Sequence, residues 1–263
     1  MLPLAGSEFP TSHDQLAAAI SGGLGEMNIS ALNVAAEGGV FPRISTLRVD
    51  LTHARIDRAM RPLLAKSSST VGLQVEALEV TASPLHLEHL PAQLALRAHE
   101  VELDLSRDDA GRPLLALTRA ANGSVKIEIT REELEAAALQ FAKEEAAPHG
   151  IEVKALRLTL TQTGPRSLQF QAEVTARAFI MKAKVTVTGE IEVDDQLQLR
   201  FSKLTGQGDG MIGTLANKFL RPRFDELERR PIALLSFAPA GLRVRDLRLE
   251  AGDKLRIEAD FSA

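Results

Sequence analysis

The sequence predicts an α+β fold in which a long, strongly coiled antiparallel β-sheet wraps around a helix, with additional helices near the N- and C-termini. Three observations support this prediction. Beyond about residue 29, apolar and polar residues alternate at a two-residue period over most of the chain. Several of these runs change parity midway, which indicates bulges or bends in long strands. Three other segments show helical spacing of apolar residues together with capping residues.

The chain is long enough to bury a core of its own. It has 263 residues, of which 44% are hydrophobic and 25% are charged, and these are ordinary values for a globular protein. The sequence shows no linker, low-complexity segment or clear repeat. It therefore predicts a single domain over residues 1–263, with an N-terminal helix at about 12–26 and a core at about 29–263.

Three segments are predicted to be helical. The first begins after Ser12, which stands three residues before a glutamine in the spacing of a capping box. The second spans about 130–147, where Thr130 and Glu133 have the same spacing. The third begins near Gly210, is expected to kink at Pro222, and ends at about residue 231.

The longest alternating run, residues 168–178, indicates a strand with one apolar side. Three consecutive apolar residues, Phe179, Ile180 and Met181, interrupt the alternation, which then continues with the opposite parity. We expect a bulge here, or a strand that passes from one apolar surface to another.

Composition excludes several classes of function. The chain has no Cys, so it carries no disulfide, zinc finger or thiol nucleophile. It also has no Trp or Tyr, and its net charge is −4, so we expect no nucleic-acid partner. His86 and His89 have no evident third ligand, and surface histidines are the favoured interpretation. The sequence predicts no metal, no cofactor and no catalytic residue; the protein is not expected to be an enzyme.

The segment from Gly208 to Gly213 reads G-x-G-x-x-G, and a dinucleotide phosphate can bind at such a helix start. The neighbouring strands look antiparallel, and Asp209 would repel a pyrophosphate. Nucleotide binding at this loop is therefore kept as a minor alternative, and a flexible start to the helix is favoured.

The amount of aliphatic surface favours a lipid tail as the ligand, because burying each CH₂ group gains about 0.8 kcal/mol. The parity change and the last helix are expected to meet at an elongated apolar groove. The predicted tail-binding residues are Val174, Ala178, Ile180, Met181, Val185, Met211, Ile212, Leu215 and Phe219. Three cations of the last helix, Lys218, Arg221 and Arg223, are candidates for contact with a lipid head group.

Three stretches of the chain resemble the LmeA-like bacterial phospholipid-binding family, a branch of the tubular lipid-binding (TULIP) superfamily that includes SMP-like and BPI-like proteins. Residues 39–44, leading into 47–51, are similar to the family's Gly-x-Phe start of its first long strand. Residues 125–134 resemble its strand that passes into a capped helix, and residues 239–247 resemble its Pro-x-Gly-Leu turn. The similarity extends from about residue 38 to the end.

This resemblance implies a long antiparallel sheet wrapped around a helix, with a groove for lipid tails. It also implies binding or transfer of phospholipid or fatty acid without a reaction. A structural or assembly domain with a filled core, which binds a protein partner, remains the alternative. Peripheral membrane contact and a homodimer stay open. The N-terminus shows no signal peptide, so we expect a cytoplasmic or peripheral membrane location, or a periplasmic one if a leader has been removed.

Overall fold

A computed structural model describes most of the chain. The described residues are 2–56, 71–87, 90–108, 111–178, 181–194, 198–208, 210–233 and 243–262. Of Val71, Ala178, Met181, Lys182, residues 210–219, Ile232 and Ala233 it describes the backbone alone.

The described elements are three α-helices, one 3₁₀ helix and fourteen strands. The helices are α1 (His13–Glu26), α2 (Arg131–Ala146), α3 (Gly210–Arg229) and the 3₁₀ turn Ala147–His149. The strands are β1 (Leu2–Pro3), β2 (Asn33–Glu37), β3 (Arg43–Asp50), β4 (Arg55–Ile56), β5 (Val71–Leu87), β6 (Leu90–Arg107), β7 (Pro113–Thr130), β8 (Ile151–Gly164), β9 (Ser167–Ala178), β10 (Met181–Val193), β11 (Gln198–Gly208), β12 (Ile232–Ala233), β13 (Arg243–Ala251) and β14 (Lys254–Ser262).

The predicted fold class, α+β with a coiled antiparallel sheet wrapped around a helix and further helices near both termini, is wrong. The described chain is mostly strand, divided between a nine-stranded sheet and a five-stranded sheet, and its last elements are β13 and β14. The larger sheet is mixed, because β3 and β4 pair with β5 in parallel. The cause of the error is physical: periodicity reports which residues of an element are buried, but not which element encloses another.

The three helices lie where their patterns place them. Thr130 and Glu133 form a complete capping box at the start of α2: the Thr130 hydroxyl accepts from the Glu133 amide at 3.2 Å, and the Glu133 carboxylate accepts from the Thr130 amide at 2.8 Å. At α1 only half of the expected box forms. Ser12 accepts from the Gln15 amide at 3.3 Å, whereas the Gln15 side chain turns to the amide and hydroxyl of Thr11.

The chain divides into two compact units. Unit 1 comprises Met1–Glu128, Ser236–Leu247 and Ile257–Ala263, and unit 2 comprises Ile129–Leu235 and Arg248–Arg256. The boundaries fall inside β7, β13 and β14. The prediction of one domain over 1–263 is not tested by this division and stays a prediction.

Unit 1 contains a large buried apolar cluster. Side chains of α1, such as Leu16 and Ile20, pack there with strand residues such as Leu47 and Val75, all of them 1% exposed or less. Every described member of the cluster lies in unit 1. The parity change expected in β6 occurs at Glu100, whose left-handed φ of +49° lets Ala98 and Val101 both face the core.

In unit 2 the five-stranded sheet has the order β12-β11-β10-β9-β8, with antiparallel pairing throughout. The parity change expected at residues 179–181 falls between two paired strands, because Ala178 of β9 is the register partner of Met181 of β10. It therefore falls between the end of β9 and the start of β10; Phe179 and Ile180 lie outside the described residues.

Candidate functional site

One face of the five-stranded sheet is apolar and the other is polar. The register places Val185, Val174 and Leu156 side by side across β10, β9 and β8, and the next row is Val187, Ala172 and Leu158. Most side chains that point the other way are exposed, among them Arg157, Thr159, Gln169, Gln171, Glu173 and Lys184, whereas Thr175, Thr186, Thr188 and Glu190 are half-buried.

The middle of the apolar face is open, whereas its two ends are closed. Buried residues occupy the ends, with Ala176 and Ala183 at one and Leu168 and Val193 at the other. Between them the side chains are mostly half-buried: Leu156, Leu158, Leu160, Phe170, Ala172, Val174, Val187 and Ile191. This open stretch runs from Val187 to Ile191 along β10, about 14 Å at 3.4 Å per residue.

Three glycines shape the β10–β11 side of this face. Gly206 and Gly208 of β11 are the register partners of Val187 and Val185, so β11 contributes no side chain to those two rows. In β10, Gly189 leaves room for Phe170 and Leu204. A Cβ at Gly189 would lie 2.5 Å from Leu204 and 2.8 Å from Phe170.

Each helix of unit 2 is anchored to an edge of the sheet by a carboxylate. Helix α2 lies against the edge strand β8, and Glu135 accepts a 2.8 Å hydrogen bond from the Leu158 amide. Helix α3 lies against β11 and β10, and Glu228 accepts a 2.8 Å hydrogen bond from the Leu204 amide. Amides that face outward from an edge strand otherwise lack a partner, so both contacts stabilise the edges as well as the helix positions.

The two helices lie on the same side of this sheet. Arg223 of α3 and Glu145 of α2 form an ion pair at 3.5 Å. Helices packed on opposite faces would be roughly 20 Å apart, since each layer stands roughly 10 Å from the sheet, and two side chains could not bridge that distance. The helices are assigned to the apolar side, because most residues of the polar side, such as Arg157, Gln171 and Lys184, are exposed.

Helix α2 buries none of its residues completely. Phe141, on α2, is 58% exposed, and Leu227, on α3, is 42% exposed. These two residues add exposed apolar surface to the helices that flank the half-buried face.

The chemistry offered by this face is apolar. Charged groups lie on the opposite side of the sheet, where the Lys154 ammonium donates to the Glu152 carboxylate and holds the pKa of Glu152 below its ordinary value. Across the described residues, no three His, Asp or Glu side chains converge in a way that could hold a metal ion. The arrangement is suited to contact with hydrocarbon.

A family model described as LmeA-like phospholipid-binding matches residues 61–260, which is most of the chain. The chain belongs to the LmeA-like phospholipid-binding family. No curated protein and no solved structure matches it. Family membership supports lipid as the ligand class and a binding protein in preference to an enzyme, while placement in the wider tubular lipid-binding superfamily stays a prediction.

No helix in the described part of this LmeA-like chain combines the length and apolarity needed to cross a bilayer. Two hollows on the described surface are also unsuited to a tail. One, beside Leu4 and Met27, has a volume of about 10 Å³, room for roughly one water molecule. The other lies over the charged end of α3, around Asp225 and Arg229.

The structure brings four of the predicted tail-binding residues together in the β9–β10 hairpin of this LmeA-like chain. Val174 is paired with Val185, and Ala178 with Met181. Ile180 lies outside the described residues. The remaining four, Met211, Ile212, Leu215 and Phe219, are in the first half of α3, whose backbone lies against β11 and β10. The tail-binding role of the whole set stays a prediction.

The predicted head-group cations also lie on α3. Lys218 is in the half of the helix whose side chains are not described, Arg221 is exposed, and Arg223 is 69% exposed and pairs with Glu145. Gly208 ends β11 and Gly210 begins α3, with Asp209 between them outside the described residues. Since β11 pairs antiparallel with both of its neighbours, the parallel strands of a dinucleotide-binding unit do not surround this loop.

Sequence reasoning missed the β8 and β9 side of the face, above all Leu156, Leu158, Phe170 and Ala172. Their alternation was visible, but a sequence does not state which strands pair, so nothing connected them with Val185. The contacts of Glu135 with the sheet edge and of Glu145 with Arg223 were likewise not predicted.

Proposed function

We propose that this member of the LmeA-like family is a non-catalytic protein that holds the tails of a phospholipid or fatty acid against the apolar face of the five-stranded sheet. One observation carries the proposal: the middle of that face is only half-buried, although it consists of aliphatic and aromatic side chains. An apolar surface left open in this way costs free energy in water and is typical of a binding site.

The dimensions support a tail as the occupant. The open stretch is about 14 Å long, and one leaflet of a bilayer is roughly 15 Å of hydrocarbon. Helices α2 and α3 lie over strands three positions apart, about 14 Å, whereas tightly packed helices are separated by only 8–10 Å. The spacing leaves a strip of sheet between them roughly as wide as one hydrocarbon chain.

The residues proposed to line this strip extend the predicted set. Val174 and buried Val185 form the row at one end of it, with Ala172 and Val187 in the next row. The first half of α3, residues 210–219, is proposed as one wall. The small side chain of Ala172 leaves space above the sheet, because it reaches less far from the sheet than the neighbouring leucines and valines.

Co-purification tests the proposal directly. Protein purified without detergent should show an added mass of a phospholipid or fatty acid by native mass spectrometry, and solvent extraction should release the same molecule. Protein stripped of lipid should take up a fluorescent fatty acid or phospholipid analogue. If the stripped protein binds neither analogue and none co-purifies, the proposal is refuted.

Transfer between membranes is a further part of the proposal, together with peripheral membrane contact during loading. Donor vesicles with quenched fluorescent phospholipid should lose it to acceptor vesicles faster when the protein is present. The homodimer is also only proposed, and light scattering during gel filtration measures it. The assembly-domain alternative gains support from exposed Phe141 and Leu227, and it predicts capture of a protein partner that Leu227→Asp abolishes without any change in lipid uptake.

A further inference from the structure

The ion pair between α2 and α3 is easy to open. Its two side chains are 69% and 54% exposed, for Arg223 and Glu145 respectively, and their charged atoms are 3.5 Å apart. Exposed pairs of this kind contribute little to stability, because water screens the charges and both side chains lose freedom when they pair. The Arg223 guanidinium is therefore held near α2 by a partner that another anion can replace.

Exposed apolar side chains stand one helical turn from both partners. Phe141 precedes Glu145 by four residues and Leu227 follows Arg223 by four, so each lies on the same side of its helix as the charged residue. Phe141 and Leu227 are therefore each one helical turn from a partner of the ion pair.

A cation, its replaceable carboxylate and two apolar side chains are thus grouped at one place between the helices. An amphiphile has the complementary pattern, a phosphate beside hydrocarbon. The guanidinium of arginine binds phosphate oxygens through two parallel hydrogen bonds, which suits this role better than a lysine would. Arg221 adds a positive charge two residues away, whereas Asp225 and Glu226 begin the next turn with negative charge.

We propose that Arg223 contacts the phosphate of an anionic phospholipid, and that Glu145 is a built-in competitor that occupies Arg223 when no lipid is bound. The inference rests on the proposed tail binding, since the apolar face must first hold the tails. Arg223 then sets the preference for an anionic head group, and Glu145 weakens that preference, because its carboxylate competes for Arg223 and repels a head group with a net negative charge more than a zwitterionic one.

The test compares two phospholipid analogues with identical fluorescent tails, one with a phosphatidylglycerol and one with a phosphatidylcholine head group. The measured quantity is the ratio of the two affinities. Glu145→Gln should raise the preference for phosphatidylglycerol about threefold, and Arg223→Gln should lower it about fivefold. Matched controls are Glu132→Gln, about 20 Å along α2, and Arg229→Gln, on another side of α3; neither should change the ratio.

A double variant separates a local effect from a general change in charge. If Glu145 acts by occupying Arg223, then Glu145→Gln should have no effect on the ratio in the Arg223→Gln background. An equal effect in both backgrounds, or an unchanged ratio in both single variants, would overturn this inference and leave tail binding intact. Displacement of the phosphatidylglycerol analogue by soluble glycerol phosphate would also overturn it, because a free phosphate compound would then be the ligand. Wild-type protein that binds neither analogue would refute the proposed function itself, and this inference with it.

Discussion

Ala172→Trp is the substitution that best separates an open face from a filled core. Ala172 lies between Val187 and Leu158 in the middle of the apolar face and is half-buried. A tryptophan there would project into the strip between α2 and α3, where we propose that a lipid tail lies. Because the natural chain contains no Trp, the new residue would also be the sole tryptophan fluorophore.

The expected loss of lipid affinity follows from the spacing of the rows. Rows on one face of a strand are about 7 Å apart, and a roughly sixteen-carbon tail covers roughly 15 Å, so blocking one row displaces about seven CH₂ groups. At about 0.8 kcal/mol each, the gross loss is about 5–6 kcal/mol. A tail that can bend around the obstacle recovers part of this, so we expect a net loss of about 2–3 kcal/mol, or roughly 30-fold to 150-fold in affinity.

The assay is titration of lipid-stripped protein with a fluorescent fatty acid, together with thermal unfolding of the same samples. The matched control is Gln171→Trp, one residue earlier on the exposed side of β9, which adds the same side chain away from the face. The control should bind like the natural protein. In Ala172→Trp, unfolding should occur within a few degrees of the natural temperature, and indole emission should shift when lipid is added.

The opposite pattern would refute the reasoning. A filled core has no room for an indole, so overpacking would cost about 1–3 kcal/mol or more of stability. Emission would then be that of a buried indole before any lipid is added. Unchanged lipid affinity in Ala172→Trp would show that the tails bind elsewhere.

Three further predictions concern local structure. Thr130→Ala removes half of the capping box of α2 and should lower stability by about 1 kcal/mol, which appears as a melting temperature roughly 2–4 °C lower; an unchanged melting curve would contradict the role of the cap. Gly189→Ala should destabilise by about 1–3 kcal/mol because its Cβ meets two side chains, whereas Gly252→Ala, with nothing within 4 Å, serves as its control in the same denaturant titration. The pKa of Glu152 is lowered, so the favourable contact of its carboxylate with Lys154 is present at neutral pH and is lost as the pH falls through that lowered pKa. Lys154→Met should raise the pKa of Glu152 toward its ordinary value in an NMR titration. A pKa of Glu152 that does not move would rule out Lys154 as the cause of the shift.

Local elements were predictable because their signals lie within a few residues of each other. The spacing of Thr130 and Glu133 predicted a capping box, and both of its hydrogen bonds are present. At Ser12 the same spacing was only half successful, since Gln15 found a competing partner in Thr11. Alternation likewise predicted which side of each strand is apolar, as residues 168–178 show.

Pairing between strands was not predictable from the same patterns. Nothing local distinguishes the parallel neighbour of β3 from an antiparallel one, because the partner in β5 is about thirty residues away in sequence. The parity change near residue 180 was expected to be a bulge or a crossing, whereas the register places it between the end of β9 and the start of β10. The candidate site depends on this register. Val174 and Val185 were predicted to be tail-binding residues. Ala172 and Leu158 were not, because their pairing across the sheet cannot be derived from the sequence alone.

The large apolar cluster and the half-open face belong to different compact units, with every described member of the cluster in unit 1 and the whole face in unit 2. Side chains that decide whether the chain folds are therefore largely separate from those proposed to meet a ligand. Replacements among Ala172, Val174 and their neighbours can alter the ligand repertoire while leaving that cluster intact. Because of this division, related proteins can change the lipid that they bind through a few substitutions, without altering the buried cluster of unit 1.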